Sequence, residues 1–111
     1  MNKYDIGMKG QRLAEEYLIK QNMIILSNNY RTKFGEIDLI ALDGEYIVFI
    51  EVKYRSSLKY GSPAESVGFY KQQRIIKTAQ YYLYKHKGNI DVRFDVIEVL
   101  GEEINHIKNA F

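Results

Sequence analysis

Two carboxylates and an ammonium fall within a short stretch of this 111-residue sequence. Asp38 lies in Gly35-Glu36-Ile37-Asp38-Leu39-Ile40, and after twelve intervening residues come Glu51, Val52 and Lys53. Carboxylates held side by side repel each other, and a divalent cation resolves the conflict. Mg²⁺ or Mn²⁺ suits such a set, since a hard cation takes one or two carboxylates and keeps several waters. A metal held there would lower the pKa of a bound water and stabilise charge on a phosphate. Lys53 would hold the attacking water or offset charge in the transition state. The competing reading is a partly exposed ion pair between Lys53 and one of the acids, and the residue pattern alone leaves both open.

The elements around these residues must bring them together. Glu36 to Leu42 and Glu45 to Tyr54 read as strands, rich in Ile, Val and Phe, with Asp43-Gly44 as the hairpin turn between them. In that register Asp38 lies opposite Phe49, Glu51 is a diagonal neighbour of Asp38, and Glu36 faces Glu51. Strand alternation puts Lys53 on the same face. The run Ile47-Val48-Phe49-Ile50 indicates a strand covered on both sides.

Residues from about 8 to 21 read as a helix with Leu13, Ala14, Tyr17 and Leu18 on its apolar stripe. Met23 to Leu26 reads as a short strand, with Asn28 and Asn29 as turn residues. Ser62-Pro63-Ala64-Glu65 has the form of a helix start, with Ser62 as N-cap. That helix is expected to run to about Lys85 and to be closed by Gly88. Arg93 to Leu100 forms another strand. The order helix, three strands, helix, strand implies an α/β sandwich with a mixed central sheet.

Bulk properties exclude more than they assign. The length suits one domain spanning residues 1–111, and 46% hydrophobic with 27% charged residues is ordinary for a globular chain. The absence of cysteine removes disulfides, thiolate metal sites and a cysteine nucleophile. Neither a signal-peptide core in Met1 to Gly10 nor a membrane-spanning run is present, so a cytoplasmic location and no membrane partner are expected. A net charge of +2 does not by itself point to nucleic acid. Its distribution is more suggestive. Arg31, Lys33, Lys53 and Arg55 flank the acidic pair, and Lys71, Arg74, Lys77 and Lys85 gather on the second helix.

Asp38, the twelve-residue gap and Glu51-Val52-Lys53 together resemble the PD-(D/E)XK nuclease motif. The surrounding wording resembles the bacterial YraN family: Gly35 to Ile40, Val48 to Lys53, Arg55, Gly61-Ser62-Pro63, Lys71, Arg74-Ile75, Ala79, Tyr82-Leu83 and Arg93 to Val96. The likeness runs from Gly7 to about Val99. It implies a restriction-endonuclease-like fold, similar to that of archaeal Holliday junction resolvases, which are dimeric, Mg²⁺-dependent nucleases. By that likeness Asp38, Glu51 and the Val52 carbonyl are the metal ligands and Lys53 the catalytic lysine. The sequence departs from the family at Gln11, where a glutamate usually follows a small residue. Gln11 can orient a metal-bound water but brings no charge; Glu15, one turn further on, reads first as a surface helix residue and second as its replacement.

The expectation is therefore a Mg²⁺- or Mn²⁺-dependent endonuclease acting on DNA, branched or otherwise structured DNA included, with catalytic residues Asp38, Glu51, Lys53 and Gln11. Arg31, Lys33, Arg55, Lys71 and Arg74 are the candidate contacts to nucleic acid. A homodimer is consistent with this, because one chain of this size carries one site and cuts one strand. Two other classes compete: a nucleic-acid-binding module of nuclease fold with little catalysis, and an interaction protein that dimerises through a strand edge. Glu36 reads equally as a further metal ligand or as a partner of Arg31 or Arg55. The ten tyrosines read as core and edge residues, Tyr54 and Tyr60 being the two that flank the site segment. His86 and His106 lack metal-ligand spacing.

Overall fold

The computed structural model describes residues 3–55, 67–86 and 90–111. The elements are α1 (Lys3–Lys20), β1 (Ile24–Thr32), β2 (Gly35–Asp43), β3 (Tyr46–Arg55), α2 (Phe69–Lys85), β4 (Asp91–Leu100) and β5 (Glu103–Ile107). The expected α/β order is present, followed by a fifth strand that the sequence reading did not include. The strands form one sheet in the order β1-β2-β3-β4-β5. Only β3 and β4 are parallel, because α2 returns the chain to the same end of the sheet between them. Among the described residues, no helix is long and apolar enough to cross a membrane.

Each helix covers one face. Ala14 and Leu18 of α1 bury against Leu39, Ala41, Val48, Ile50, Ile97 and Val99. Ile75, Ala79 and Tyr82 of α2 bury against Ile40, Ile47, Phe49 and Val96. Residues Ile47 to Ile50 therefore alternate between two cores, which is why the run is apolar without interruption.

Three local expectations need correction. The hairpin turn is Gly44-Glu45, since Asp43 pairs with Tyr46 and remains in the ladder. Gly44 takes φ +59°, the left-handed conformation that a two-residue hairpin favours, and Asp43 is held in β2 by its 2.9 Å bond from the Arg93 guanidinium. The first strand does not stop at Leu26. It continues through Asn28 and Asn29 to Thr32, with a bulge between Ile25 and Ser27, and Asn29 is accommodated at φ 51°. Finally, α2 begins at Phe69 behind an extended Gly68, and Val67 precedes the helix as a buried core residue. Ser62, Pro63, Glu65, Tyr60 and Gly88 lie outside the described residues.

The hairpin register is shifted by two residues from the expected one: Leu39 pairs with Ile50, and this is the last pair of the β2–β3 ladder, so Asp38 and Glu51 each lie one residue beyond it.

Candidate active site

Asp38 sits where β2 loses its partners on both sides. Toward β1 the pairing passes from Asn28↔Leu39 to Tyr30↔Ile37, leaving Asp38 unpaired opposite the left-handed Asn29. Toward β3 the ladder ends one residue before it. The alternation of faces slips at the same point: Leu39 belongs to the α1-side core, whereas Ile40 and Ile37 both belong to the α2-side core. The freed Asp38 carboxylate takes up the backbone instead, with Oδ2 accepting a 2.8 Å bond from the Val52 N–H. A strand break thus aims an acid between the two sheet faces.

Asp38 accordingly lines two clefts. The one on the α2 side, about 420 Å³, also contains Glu36, Glu51, Lys71 and Arg74. The one on the α1 side, about 400 Å³, contains Gln11, Asn29, Glu36 and Val52. Arg31 borders both. Glu51 is 7% exposed and takes two ammonium partners, Lys71 at 2.6 Å and Lys53 at 3.6 Å. Burial, and then the charge of Glu51, push the Asp38 carboxyl from its ordinary 3.8 up to about 7. Burial and the adjacent Lys71 hold the Lys53 ammonium below its usual range. Lys71 is also disfavoured by burial, but its bond to Glu51 outweighs that and leaves its pKa raised.

The donor set is two carboxylates with the Val52 carbonyl close in sequence, all oxygen, which fits a hard divalent cation and not a zinc-type centre. Among the described residues, no group of three or more His, Asp or Glu side chains converges as a metal cage. Asp38 and Glu51 would therefore leave most coordination positions to water and substrate. The observation that fits the cation is the raised Asp38 pKa, to which the neighbouring charge of Glu51 contributes after burial.

The other expected residues divide into groups. Gln11 lies in the α1-side cleft with Asp38, while Glu15 lines neither acidic cleft. Glu36 lines both clefts and also pairs with Arg31 at 3.3 Å, so features of each reading of it are present. Arg74 and Lys71 face the acidic cleft, whereas Lys33 lies in a neighbouring groove and Lys77 is exposed. Arg55 ends β3 beside Leu100, and its side chain lies outside the described residues. Tyr54 is not an exposed platform: its ring packs on α1 at Gly10, where an added Cβ would lie 3.1 Å from it.

Two features were missed in the sequence. His106 does take part in a polar network: its Nε2 lies 2.7 Å from Asp95 and its Nδ1 3.0 Å from the Tyr17 hydroxyl. Arg93 and the Asn109 N–H complete the bonds to the fully buried Asp95. The alternation Arg93-x-Asp95 within an apolar strand was the available signal. The second is that Thr78 and Tyr81 join the expected Lys71, Arg74 and Lys85 in a stripe on α2, with spacings of three and four that fit one helical face.

A sequence profile described as "Uncharacterised protein family UPF0102" matches residues 10–99, a span that holds every element of the site. The chain belongs to UPF0102. This is the YraN family that the motif resembles. A UPF0102 protein of Thermodesulfovibrio yellowstonii is 49% identical over 111 residues, covering 100% of this chain and 99% of that protein. A UPF0102 protein of Clostridioides difficile is 49% identical over 114 residues, with 100% of both covered. One from Clostridium botulinum strain 657 is 48% identical over 115 residues, covering 96% of this chain and 94% of its own. As a UPF0102 member, the chain matches these relatives along nearly their full lengths, not in the Asp38–Lys53 segment alone.

Proposed function

We propose that this UPF0102 chain is a Mg²⁺- or Mn²⁺-dependent endonuclease that hydrolyses phosphodiester bonds in DNA. One observation carries the reading: Asp38 and Glu51 lie just past the last pair of the β2–β3 ladder and line one cleft, where burial and the charge of Glu51 push Asp38 up to about 7. A bound cation would relieve that conflict, and perturbed carboxylates cluster at functional sites.

Asp38, Glu51 and the Val52 carbonyl would hold the cation, which would supply a low-pKa water and charge stabilisation at the phosphate. Lys53, with its ammonium pKa lowered, positions the attacking water and exchanges a proton with it more readily than an ordinary lysine. Gln11 orients solvent from the α1-side cleft without adding charge. Lys71 neutralises Glu51 in the free protein and, being half-exposed, turns to a phosphate once the acid is otherwise engaged. Arg74 and Arg31 border the cleft as further phosphate contacts. Cutting both strands of a duplex would take two copies of the chain.

One observation favours the binding-module reading instead: the 2.6 Å Lys71–Glu51 contact already compensates the buried acid. Calorimetric titration with Mn²⁺ separates the two. The nuclease reading expects saturable binding by the wild type and its loss in Glu51→Gln. Absence of Mn²⁺ binding together with intact DNA binding would overturn it.

A further inference from the structure

Beside the acidic cleft runs a second groove, about 450 Å³, between the β1–β2 turn and the C-terminal half of α2. Three aromatic residues line it: Tyr30, which packs edge-on against Tyr82, and the rings of Phe34 and Tyr81. Three cations, Arg31, Lys33 and Lys85, line it too, and among the described residues no carboxylate does. The Phe34 and Tyr81 rings meet at an angle, with centroids 6.4 Å apart and planes 60° apart, so they do not stack on each other. Each has an ammonium above it: Lys33 Nζ lies 5.3 Å from the Phe34 centroid, and Lys85 Nζ 4.8 Å from that of Tyr81.

The groove is built, not incidental. The Phe34 N–H donates a 3.1 Å bond to Thr32 Oγ1, which fixes the turn that presents Lys33 and Phe34. Gly35 ends the turn at φ +152°, a conformation that favours glycine, and lies against α2, where the site of an added Cβ is at ordinary contact distance, 3.5 Å, from both Arg74 Cβ and Thr78 Oγ1. The α2 stripe then links the two depressions. Lys71 and Arg74 line the acidic cleft, Thr78 meets Gly35, and Tyr81 and Lys85 line the groove. Arg31, with 74% of its side chain exposed, borders both.

We propose that this groove holds an unpaired DNA strand leading into the acidic cleft, with bases stacked on Phe34 and Tyr81 and phosphates met by Arg31, Lys33 and Lys85. Rings interleaved with cations are the chemistry of single-strand binding, because every base has a stacking face and every linkage a charge. A duplex offers the phosphates but keeps its base faces covered, so the rings would be idle against it. The groove's place on the substrate path rests on the nuclease reading. Its affinity for a single strand does not.

The test is fluorescence anisotropy of the full chain in EDTA, with labelled oligothymidylate and with a duplex of equal length. The proposal expects tighter binding of the single strand. Phe34→Ala with Tyr81→Ala should weaken that binding about tenfold or more, and duplex binding by much less. Phe34→Tyr with Tyr81→Phe, which keeps both rings, should bind like the wild type and so controls for folding. Equal losses on strand and duplex, or no loss with the rings removed, would overturn the proposal. A nuclease failure would look different: no metal-dependent cutting, with single-strand preference intact.

Discussion

The Oδ2 of Asp38 accepts a 2.8 Å hydrogen bond from the Val52 N–H at the point where the β2–β3 ladder ends. The same acid lines one cleft with Glu51, and its carboxyl is held up to about 7 by burial and by that neighbour. Ionising Asp38 therefore costs the metal-free fold stability. Below about 3.8 folded and unfolded chains are both protonated; between 3.8 and about 7 the folded chain keeps a proton that the unfolded one has lost. Stability falls as pH rises through that window. Asp38→Asn keeps an acceptor for Val52 and removes the charge. Its melting temperature in EDTA should exceed that of the wild type by several degrees at about pH 8 and by little near pH 4, where about 1 kcal/mol corresponds to roughly 4–8 °C. A variant less stable than the wild type at the higher pH would contradict the assignment.

On the proposed function, Lys71 and a divalent cation would compete for Glu51. Replacing Lys71 by Met removes the 2.6 Å ammonium partner from an acid that is 7% exposed. In EDTA that leaves Glu51 to Lys53 at 3.6 Å, and the variant should melt lower. With the competitor gone, Mn²⁺ should bind several-fold more tightly, and its addition should recover more melting temperature than in the wild type. Calorimetric titration of both proteins checks this. Weaker Mn²⁺ binding in the variant would make Lys71 a supporter of the metal instead.

Gln11 occupies the α1-side cleft with Asp38 and Glu36. Gln11→Glu adds a third carboxylate there. The expected outcome is a lower melting temperature in EDTA and faster cleavage at limiting Mn²⁺. Unchanged metal dependence would place Gln11 outside the reacting shell.

The Asp95 network ties β4 to β5 and, through His106 and Tyr17, to α1. Burial alone would raise the Asp95 pKa, but bonds from His106, Arg93 and the Asn109 N–H outweigh it and hold the carboxyl below its usual range. Its contribution is therefore complete above about pH 3.8 and is lost as pH falls through the lower folded value. Asp95→Asn should cost roughly 3–5 kcal/mol at neutral pH, a large part of a small domain's stability, and the gap from wild type should narrow in acid. Denaturant unfolding at several pH values measures both.

Much of this was legible in the sequence because it rests on alternation and composition. The apolar run Ile47 to Ile50 announced a strand buried on both faces, and Leu13, Ala14, Tyr17 and Leu18 announced the inner face of α1. Asp38, Glu51 and Lys53 were recognisable as a set because charges among apolar strand residues need a reason. The register was not legible, since Asp43-Gly44 and Gly44-Glu45 are both acceptable turns and the choice depends on Arg93, fifty residues away, bonding Asp43. Nor was the strand break at Asp38, which requires Asn29 to sit opposite in a left-handed conformation. The aromatic and basic groove escaped because Phe34 and Tyr81 come from separate elements and meet only in the folded chain, where the β1–β2 turn lies against α2.

The proposed cutting of DNA by Asp38, Glu51 and Lys53 with a metal is checked by incubating labelled single-stranded, duplex, flap and four-way-junction DNA with Mn²⁺ and the wild type, Glu51→Ala or Lys53→Ala. The expected result is metal-dependent cutting that both substitutions reduce by about a hundredfold or more, the order expected for loss of a charge-stabilising group. Absence of cutting, or cutting that survives both substitutions, would contradict it.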